Sequence, residues 1–210
     1  LFQGRYFICY NYHMLVKFRM KKKDWTGIFL TARVQRLYKE YEDNIVSGLE
    51  TASGLSFRRG FTVVVSNLTS NSLWFGSAGF DGKKAISIEI PASRVISDDI
   101  ILWLLIHEIG HRLLDQHNIQ TPTVKARDIF NEQEHRLLFS FLIEAIKISF
   151  GSQHAKSIIE SGPKRGYKDM KFGHTRAWKW AVSMTPKQRK AAWKKLKASY
   201  SHSLHRPANI

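Results

Sequence analysis

The chain has 210 residues, of which 43% are hydrophobic and 24% charged, and this balance excludes a disordered chain and is typical of one large globular domain. Its single cysteine, Cys9, excludes an internal disulfide framework and favours a reducing, intracellular compartment such as the cytoplasm. No apolar run approaches the ~18 residues of a membrane span, and the formal net charge of +16 favours a polyanionic partner.

The first fifty residues contain one clear helical pattern. Residues 1–4, Leu-Phe-Gln-Gly, resemble the remnant of a viral-protease site used to remove purification tags, so we expect the natural domain to start after them. Residues 5–20 are rich in aromatic side chains and alternate only in part, which leaves a strand and an extended arm both open. In residues 26–49 apolar side chains recur at helical spacing, which predicts a long amphipathic helix.

Three stretches in the middle of the chain have strand-like patterns. Residues 61–65 are rich in β-branched side chains and predict a buried strand. Residues 67–82 mix turn residues with aromatic ones and predict a short strand and a hairpin turn at 81–83. Residues 85–91 alternate with period two and stop at a proline, which predicts a strand at the edge of a sheet.

A buried helix is predicted to follow this strand. Ser97 is suited to be its N-cap, and Asp98 and Asp99 supply negative charge in its first turn. The stretch from 100 to 106 is entirely apolar, and Asn118 is a residue type that can end a helix. The helix therefore runs from about Asp98 to Asn118.

That helix carries an HExxH pattern made by His107, Glu108 and His111. Histidines four residues apart lie about 40° apart on one face of a helix and roughly 6 Å apart along its axis. This spacing lets both imidazoles bind one tetrahedral Zn²⁺, while Glu108 reaches a water that the metal acidifies. The alternative is a core helix with two hydrogen-bonded histidines, but burying three polar side chains without a purpose is costly.

The helix and the strand before it resemble the active-site region of the zincin metallopeptidases, and more narrowly of their gluzincin branch. The resemblance covers about residues 61–142, under half the chain. It implies an α+β fold in which a small twisted sheet has an edge strand beside the active-site helix. It also implies a zinc-dependent peptidase that acts on a protein or peptide substrate.

A catalytic zinc needs a third protein ligand, and we predict Glu134. A helix is expected from about 128 to 150, closed by Gly151 and followed by another from 153 to 160. Glu134 shares an apolar stripe of the first helix with Leu137 and Leu138, so it points toward the core. The segment 131–139 also resembles the Glu-x-Glu-Ala-Asn segment of ImmA/IrrE-type peptidases, whose ligand matches Glu134.

Three more residues remain open as the third ligand. His117 follows His107 at the metzincin spacing, but Leu114 stands where metzincins need a glycine to break the helix. Glu132 falls on a face with charged neighbours that looks exposed. His135 is a candidate because the SprT/Spartan proteases use three histidines, although this chain lacks their downstream His-Gly pair in a recognisable form.

The gluzincin resemblance further implies an electrophile that stabilises the tetrahedral intermediate. We predict His174 for this catalytic role because it follows the gluzincin-like core. Tyr167 is an equal candidate. Packing or surface positions are the alternative for both side chains.

The break at 161–166 divides the chain into a metallopeptidase domain, 5–162, and a basic, mostly helical C-terminal extension, 163–210, packed on it. The extension has thirteen Lys or Arg against one acid, Asp169. Thr185 and the proline after it begin a predicted helix, 187–200. The charge favours nucleic acid as partner, and an anionic membrane second. The tryptophans either stack on bases or, as we expect for Trp193, pack in the core.

These patterns favour a zinc metallopeptidase whose basic C-terminal region recruits it to nucleic acid or to an acidic partner. The alternative is a nucleic-acid-binding protein with a structural or inactive zincin core. The intact HExxH pattern argues against the alternative. The oligomeric state stays open.

Overall fold

Helices make up most of the fold. The computed structural model describes residues 16–20, 25–68, 75–77, 85–91, 96–119, 127–161 and 173–201. The helices are α1 (Trp25–Ser53), α2 (Asp98–Gln116), α3 (Arg127–Ser161), α4 (Gly173–Val182) and α5 (Pro186–Ser201). The strands are β1 (Val16–Met20), β2 (Phe61–Leu68), β3 (Phe75–Ser77) and β4 (Ala85–Pro91).

The predicted α+β zincin-like class is wrong, because the molecule is predominantly helical. Its helices have 29, 19, 35, 10 and 16 residues, against 5, 8, 3 and 7 residues in the strands. Among the strands, the structure describes the side chains of 61–65 in β2, and Phe61, Val63 and Val65 lie in the hydrophobic core. Most of the other core residues that the structure describes belong to the helices, whose apolar stripes pack on one another.

The position predicted for the strand 85–91 is also wrong. The four strands pair in the order β1-β2-β4-β3, so β4 lies between two neighbours and not at an edge. It pairs in parallel with β2 and antiparallel with β3. Period-two alternation indicates that a strand has one apolar and one polar face, but it does not indicate which strands lie beside it. The predicted hairpin turn at 81–83 lies outside the described residues.

Helix α1 confirms the prediction for residues 26–49 and packs along α3. Gly48 explains how closely the two helices approach. A Cβ atom at Gly48 would lie 2.1 Å from the Ser149 hydroxyl oxygen and 2.7 Å from the carbonyl oxygen of Ala145. Any larger side chain at this position would push α1 and α3 apart.

Helix α2 confirms the predicted buried helix, and both neighbouring helices hold its start. Ser97 is the N-cap, although its hydroxyl makes no capping hydrogen bond. From α1, Arg33 donates to Asp98 at 2.7 Å. From α3, the Ser157 hydroxyl donates to Asp99, and a ring nitrogen of His154 lies 3.0 Å from the same carboxylate. The first turn of α2 is therefore fixed on two sides.

The remaining helix boundaries largely follow the predictions. Asn118 adopts a positive φ of 53° just after α2. Gly151, with φ 70° and ψ 167°, interrupts α3 where the sequence predicts a helix end. Thr185 begins α5 with a reciprocal pair of hydrogen bonds to Gln188. Helix α4 lies in the extension that was predicted to be mostly helical, but its bounds were not predicted. In the described part of the chain, no helix has a stretch long and apolar enough to cross a bilayer.

Candidate metal centre

Two of the predicted ligands lie side by side on α2. The Nε2 atoms of His107 and His111 are 3.2 Å apart, and both side chains are buried. Zn–N bonds of 2.0–2.1 Å at tetrahedral angles would place two ligand nitrogens about 3.3–3.4 Å apart. The two imidazoles are therefore already spaced as ligands of one ion.

Two further histidines join them from other helices. His135 of α3 and His174 of α4 are both buried. One ligand nitrogen each from His107, His135 and His174 all lie within 4.8 Å of one another. Three helices thus bring four imidazoles to one point, and imidazole is a ligand that suits zinc, copper, iron and nickel.

Gly110, inside the HExxH pattern, allows α3 to approach α2 at this point. A Cβ atom there would lie 2.7 Å from Cδ1 of Leu138, which is one helical turn from His135. The ring centroid of His135 lies 5.3 Å from that of His107 and 5.2 Å from that of His111. The missing side chain at Gly110 therefore helps to bring His135 within reach of the α2 pair.

Burial favours the neutral form of three of these imidazoles, those of His107, His111 and His174. It lowers the pKa of His107 well below its ordinary value, and the neighbouring histidines lower it further. Burial lowers the pKa of His111 to about 4, and it also lowers the pKa of His174 well below the ordinary value, with added effects of His135 and His111. Neutral imidazoles have a free lone pair, so they are ready to bind a metal at neutral pH.

Glu108 is buried beside the imidazoles and is only 1% exposed. Its Oε1 atom lies 3.8 Å from Nε2 of His107, and its Oε2 atom has no hydrogen-bond partner among the described residues. Burial, followed by the nearby Glu134 carboxylate, raises the pKa of Glu108 well above its ordinary value. A buried carboxylate with a free oxygen beside clustered imidazoles fits a metal centre that includes a water.

Glu134, the predicted third ligand, lies at the outer side of the cluster. Its Oε1 atom is 3.4 Å from Nδ1 of His111, and its side chain is 35% exposed. Burial raises the pKa of Glu134, and His135 opposes that effect. Because the other nitrogen of His111 faces His107, the Glu134 carboxylate is placed to orient the His111 ring. Direct metal binding by Glu134 stays a prediction.

Glu132 and His117, which the sequence leaves open as third ligands, stand apart from the imidazoles. Glu132 is ion-paired with Arg136 and Arg176. His117 is the C-cap of α2 and is half-buried, with a ring nitrogen 2.8 Å from the Ser56 carbonyl oxygen. The predicted electrophile Tyr167 lies outside the described residues.

A periodic signal in the sequence points to the two histidines from α3 and α4. Three, four and seven residues after His135 stand Leu138, Phe139 and Leu142, and after His174 stand Ala177, Trp178 and Ala181, all of them buried. Both histidines therefore begin the apolar stripe of their helix. This i, i+3, i+4, i+7 pattern indicates an inward position for each.

An aromatic wall surrounds the cluster. Trp103 stacks on His107 with ring centroids 4.8 Å apart. Phe139 and Trp178 are in edge contact with each other, and Trp178 is in edge contact with Trp103. This apolar shell fixes the ring orientations and limits access of water, two properties that tune a bound metal.

Comparison of the chain with protein-family models, with curated proteins and with solved structures gives no match. The chemistry of this centre is therefore inferred from the side chains themselves.

Proposed function

We propose that the protein is a metal-dependent peptidase, with zinc as the metal and His107, His111 and His135 as its holders. The observation that supports this most is the 3.2 Å separation of the His107 and His111 Nε2 atoms beside a buried glutamate with an unpaired oxygen. Three imidazoles with a nearby carboxylate base are a ligand set used by catalytic zinc centres.

A bound metal ion would acidify a water molecule and polarise the carbonyl group of the substrate. Glu108 is the base that takes the proton of this water, since its buried carboxylate has a raised pKa and a free oxygen. The same carboxyl then delivers the proton to the leaving amine. Glu134 holds the His111 ring through Nδ1, and Trp103 fixes the ring of His107.

The choice of peptide bonds over other electrophiles is supported by the HExxH pattern, which is typical of metallopeptidases. No residue of the site indicates which polypeptide is the substrate. A broad-specificity test substrate, such as fluorescently labelled casein, is therefore the appropriate first probe.

The test combines metal content with turnover. The parent protein should bind about one zinc ion per chain. His107→Ala should lose the metal, whereas Glu108→Gln should keep it and lose casein hydrolysis. Glu160→Gln is a matched control, because Glu160 is an exposed residue near the end of α3. Stoichiometric zinc in His107→Ala would refute the proposal.

A second function, binding of a polyanion, is supported by one face of α5. Helix α5 contains no acidic residue. Four of its lysines are exposed: Lys187, Lys190, Lys194 and Lys195. Trp178 and Trp193 do not serve this surface, since both are buried and Trp193 donates to the Ser53 carbonyl oxygen at 2.9 Å. Phosphate contact without base stacking, as in sequence-independent nucleic-acid binding, fits this surface.

A further inference from the structure

His174 lies among the other imidazoles at the distance of a fellow ligand. Four imidazoles that bind one tetrahedral ion through bonds of 2.0–2.1 Å would have ring centres about 5.2 Å apart. The ring centroids of His107 and His111 are 4.8 Å apart, and His174 lies 5.5 Å from His107 and 4.3 Å from His135. The ring of His174 is thus at ligand distance from His107 and His135, and one ligand nitrogen of each of these three residues lies within 4.8 Å of the others.

The surroundings of His174 do not fit a group that faces substrate across a cleft. Its ring is only 4% exposed and is in edge contact with Phe139 and Trp103, at centroid distances of 5.0 and 6.0 Å. An electrophile needs space for the substrate carbonyl between itself and the metal. Here the space next to His174 is filled by His107 and His135.

We propose that His174 is a fourth metal ligand, and that α4 is a latch that holds the centre closed. This inference rests on the proposed metal-dependent function. Zinc sites with four protein ligands are structural, whereas catalytic sites keep one position open for water or substrate. The described arrangement is then a latent form, and withdrawal of His174 from the shell is what opens the fourth position.

Helix α4 packs in the core through Ala177, Trp178 and Ala181, and it has polar anchors near both of its ends. Near its start, Arg176 donates to Glu132 at 2.5 Å in a surface ion pair, which salt or a competing charge weakens. At its end, Arg189 of α5 donates to the carbonyl oxygen of Ala181 at 3.1 Å and also to Glu144 of α3.

Both polar anchors reach α3, through its residues Glu132 and Glu144. The first three imidazoles belong to α2 and α3, whereas His174 comes from α4 alone. A movement of α4 would therefore remove one ligand and leave the three imidazoles of α2 and α3 in place.

The test uses Co²⁺ as a spectroscopic substitute and azide as a small ligand for an open position. In the full-length parent, the visible spectrum of bound Co²⁺ should not respond to azide, because no position is open. In His174→Ala, Co²⁺ affinity should fall by more than about tenfold, since even changes beyond the ligands cost 10–100-fold. Azide should shift the spectrum of this variant, and free imidazole should restore the parent spectrum.

Two further variants complete the experiment. His174→Gln keeps a side chain of similar length in the buried position and serves where His174→Ala fails to fold. His117→Ala removes a partly exposed histidine from the end of α2 and should behave like the parent. The zinc-loaded His174→Ala enzyme should hydrolyse casein faster than the parent, whose activity comes only from molecules in which His174 has left the metal, whereas loss of an electrophile would slow hydrolysis about 10²- to 10³-fold.

The outcomes separate the two proposals. If Co²⁺ binds the parent but not His107→Ala, and His174→Ala or His174→Gln leaves affinity and azide response unchanged, the latch is refuted and the peptidase proposal stands. An azide-responsive parent also refutes the latch. Absence of Co²⁺ and Zn²⁺ binding by the parent overturns both.

Discussion

Arg189 is the side chain that ties α5 and the end of α4 to α3, and Arg189→Met should destabilise the protein by about 3 kcal/mol. The guanidinium group is buried, donates to Glu144, and also donates to the carbonyl oxygens of Ala181 and Met184. Removal of one partner of a buried ion pair costs about 3–5 kcal/mol. We expect the lower end, because the Glu144 side chain is 30% exposed and regains water. Methionine keeps most of the apolar stem.

Thermal unfolding followed by circular dichroism measures this effect. In a protein of this size, 1 kcal/mol corresponds to about 2–4 °C, so Arg189→Met should lower the Tm by roughly 6–12 °C. Lys190→Met is the matched control, since Lys190 is the next residue in α5 and is exposed. It should change the stability by less than about 0.5 kcal/mol. A loss below about 1 kcal/mol in Arg189→Met, or an equal loss in Lys190→Met, would refute the reasoning.

Two predictions concern the ligands and the basic surface. His135→Ala should abolish zinc binding, whereas Glu134→Gln should lower zinc affinity about 10- to 100-fold, as expected for a carboxylate that orients a ligand. Competition with a chelator measures both affinities. A larger loss of zinc affinity in Glu134→Gln than in His135→Ala would make Glu134 the third ligand. The polyanion surface is tested by a glutamine variant of four exposed lysines, Lys187, Lys190, Lys194 and Lys195. It should bind a single-stranded oligonucleotide more weakly and with a shallower salt dependence than the parent, while keeping its Tm. Arg189 stays unchanged in this variant because it is buried, and unchanged binding would mean that the lysines are only solvated.

The part of the site that lies on one helix was predictable from the sequence. The period of the α-helix alone brings His107 and His111 to the same side, and the apolar run before them predicts burial. The observed 3.2 Å between their Nε2 atoms agrees with that expectation. Helical stripes also placed Glu134 toward the core, where it contacts His111. What the stripe did not distinguish is which of two adjacent residues, Glu134 or His135, points to the α2 imidazoles.

The fold class was not predictable in the same way. Strand patterns depend on local sequence, whereas the size of a sheet depends on contacts between distant segments. Residues 61–65 and 85–91 do form strands. Their alternation nevertheless says nothing about how much core the neighbouring helices supply. The long stripes of α1 and α3, which pack on each other near Gly48, were visible in the sequence, but their mutual contact depends on tertiary structure. The zincin-like prediction therefore overestimated the share of the sheet in the fold.

His174 illustrates that the sequence can predict the type of chemistry at a site without predicting whether the site is open to substrate. The HExxH pattern indicates a metal and a base, because both follow from helix geometry and residue type. In our proposal, whether the fourth position of the metal is open depends on α4, a ten-residue helix that packs on α3. No spacing in the sequence relates this helix to α2, since contacts between distant segments are set by packing. The region predicted to be a basic appendage places the imidazole of His174 beside those of His107 and His135. If the proposal is correct, the same C-terminal helices that present lysines outward also determine access to the metal.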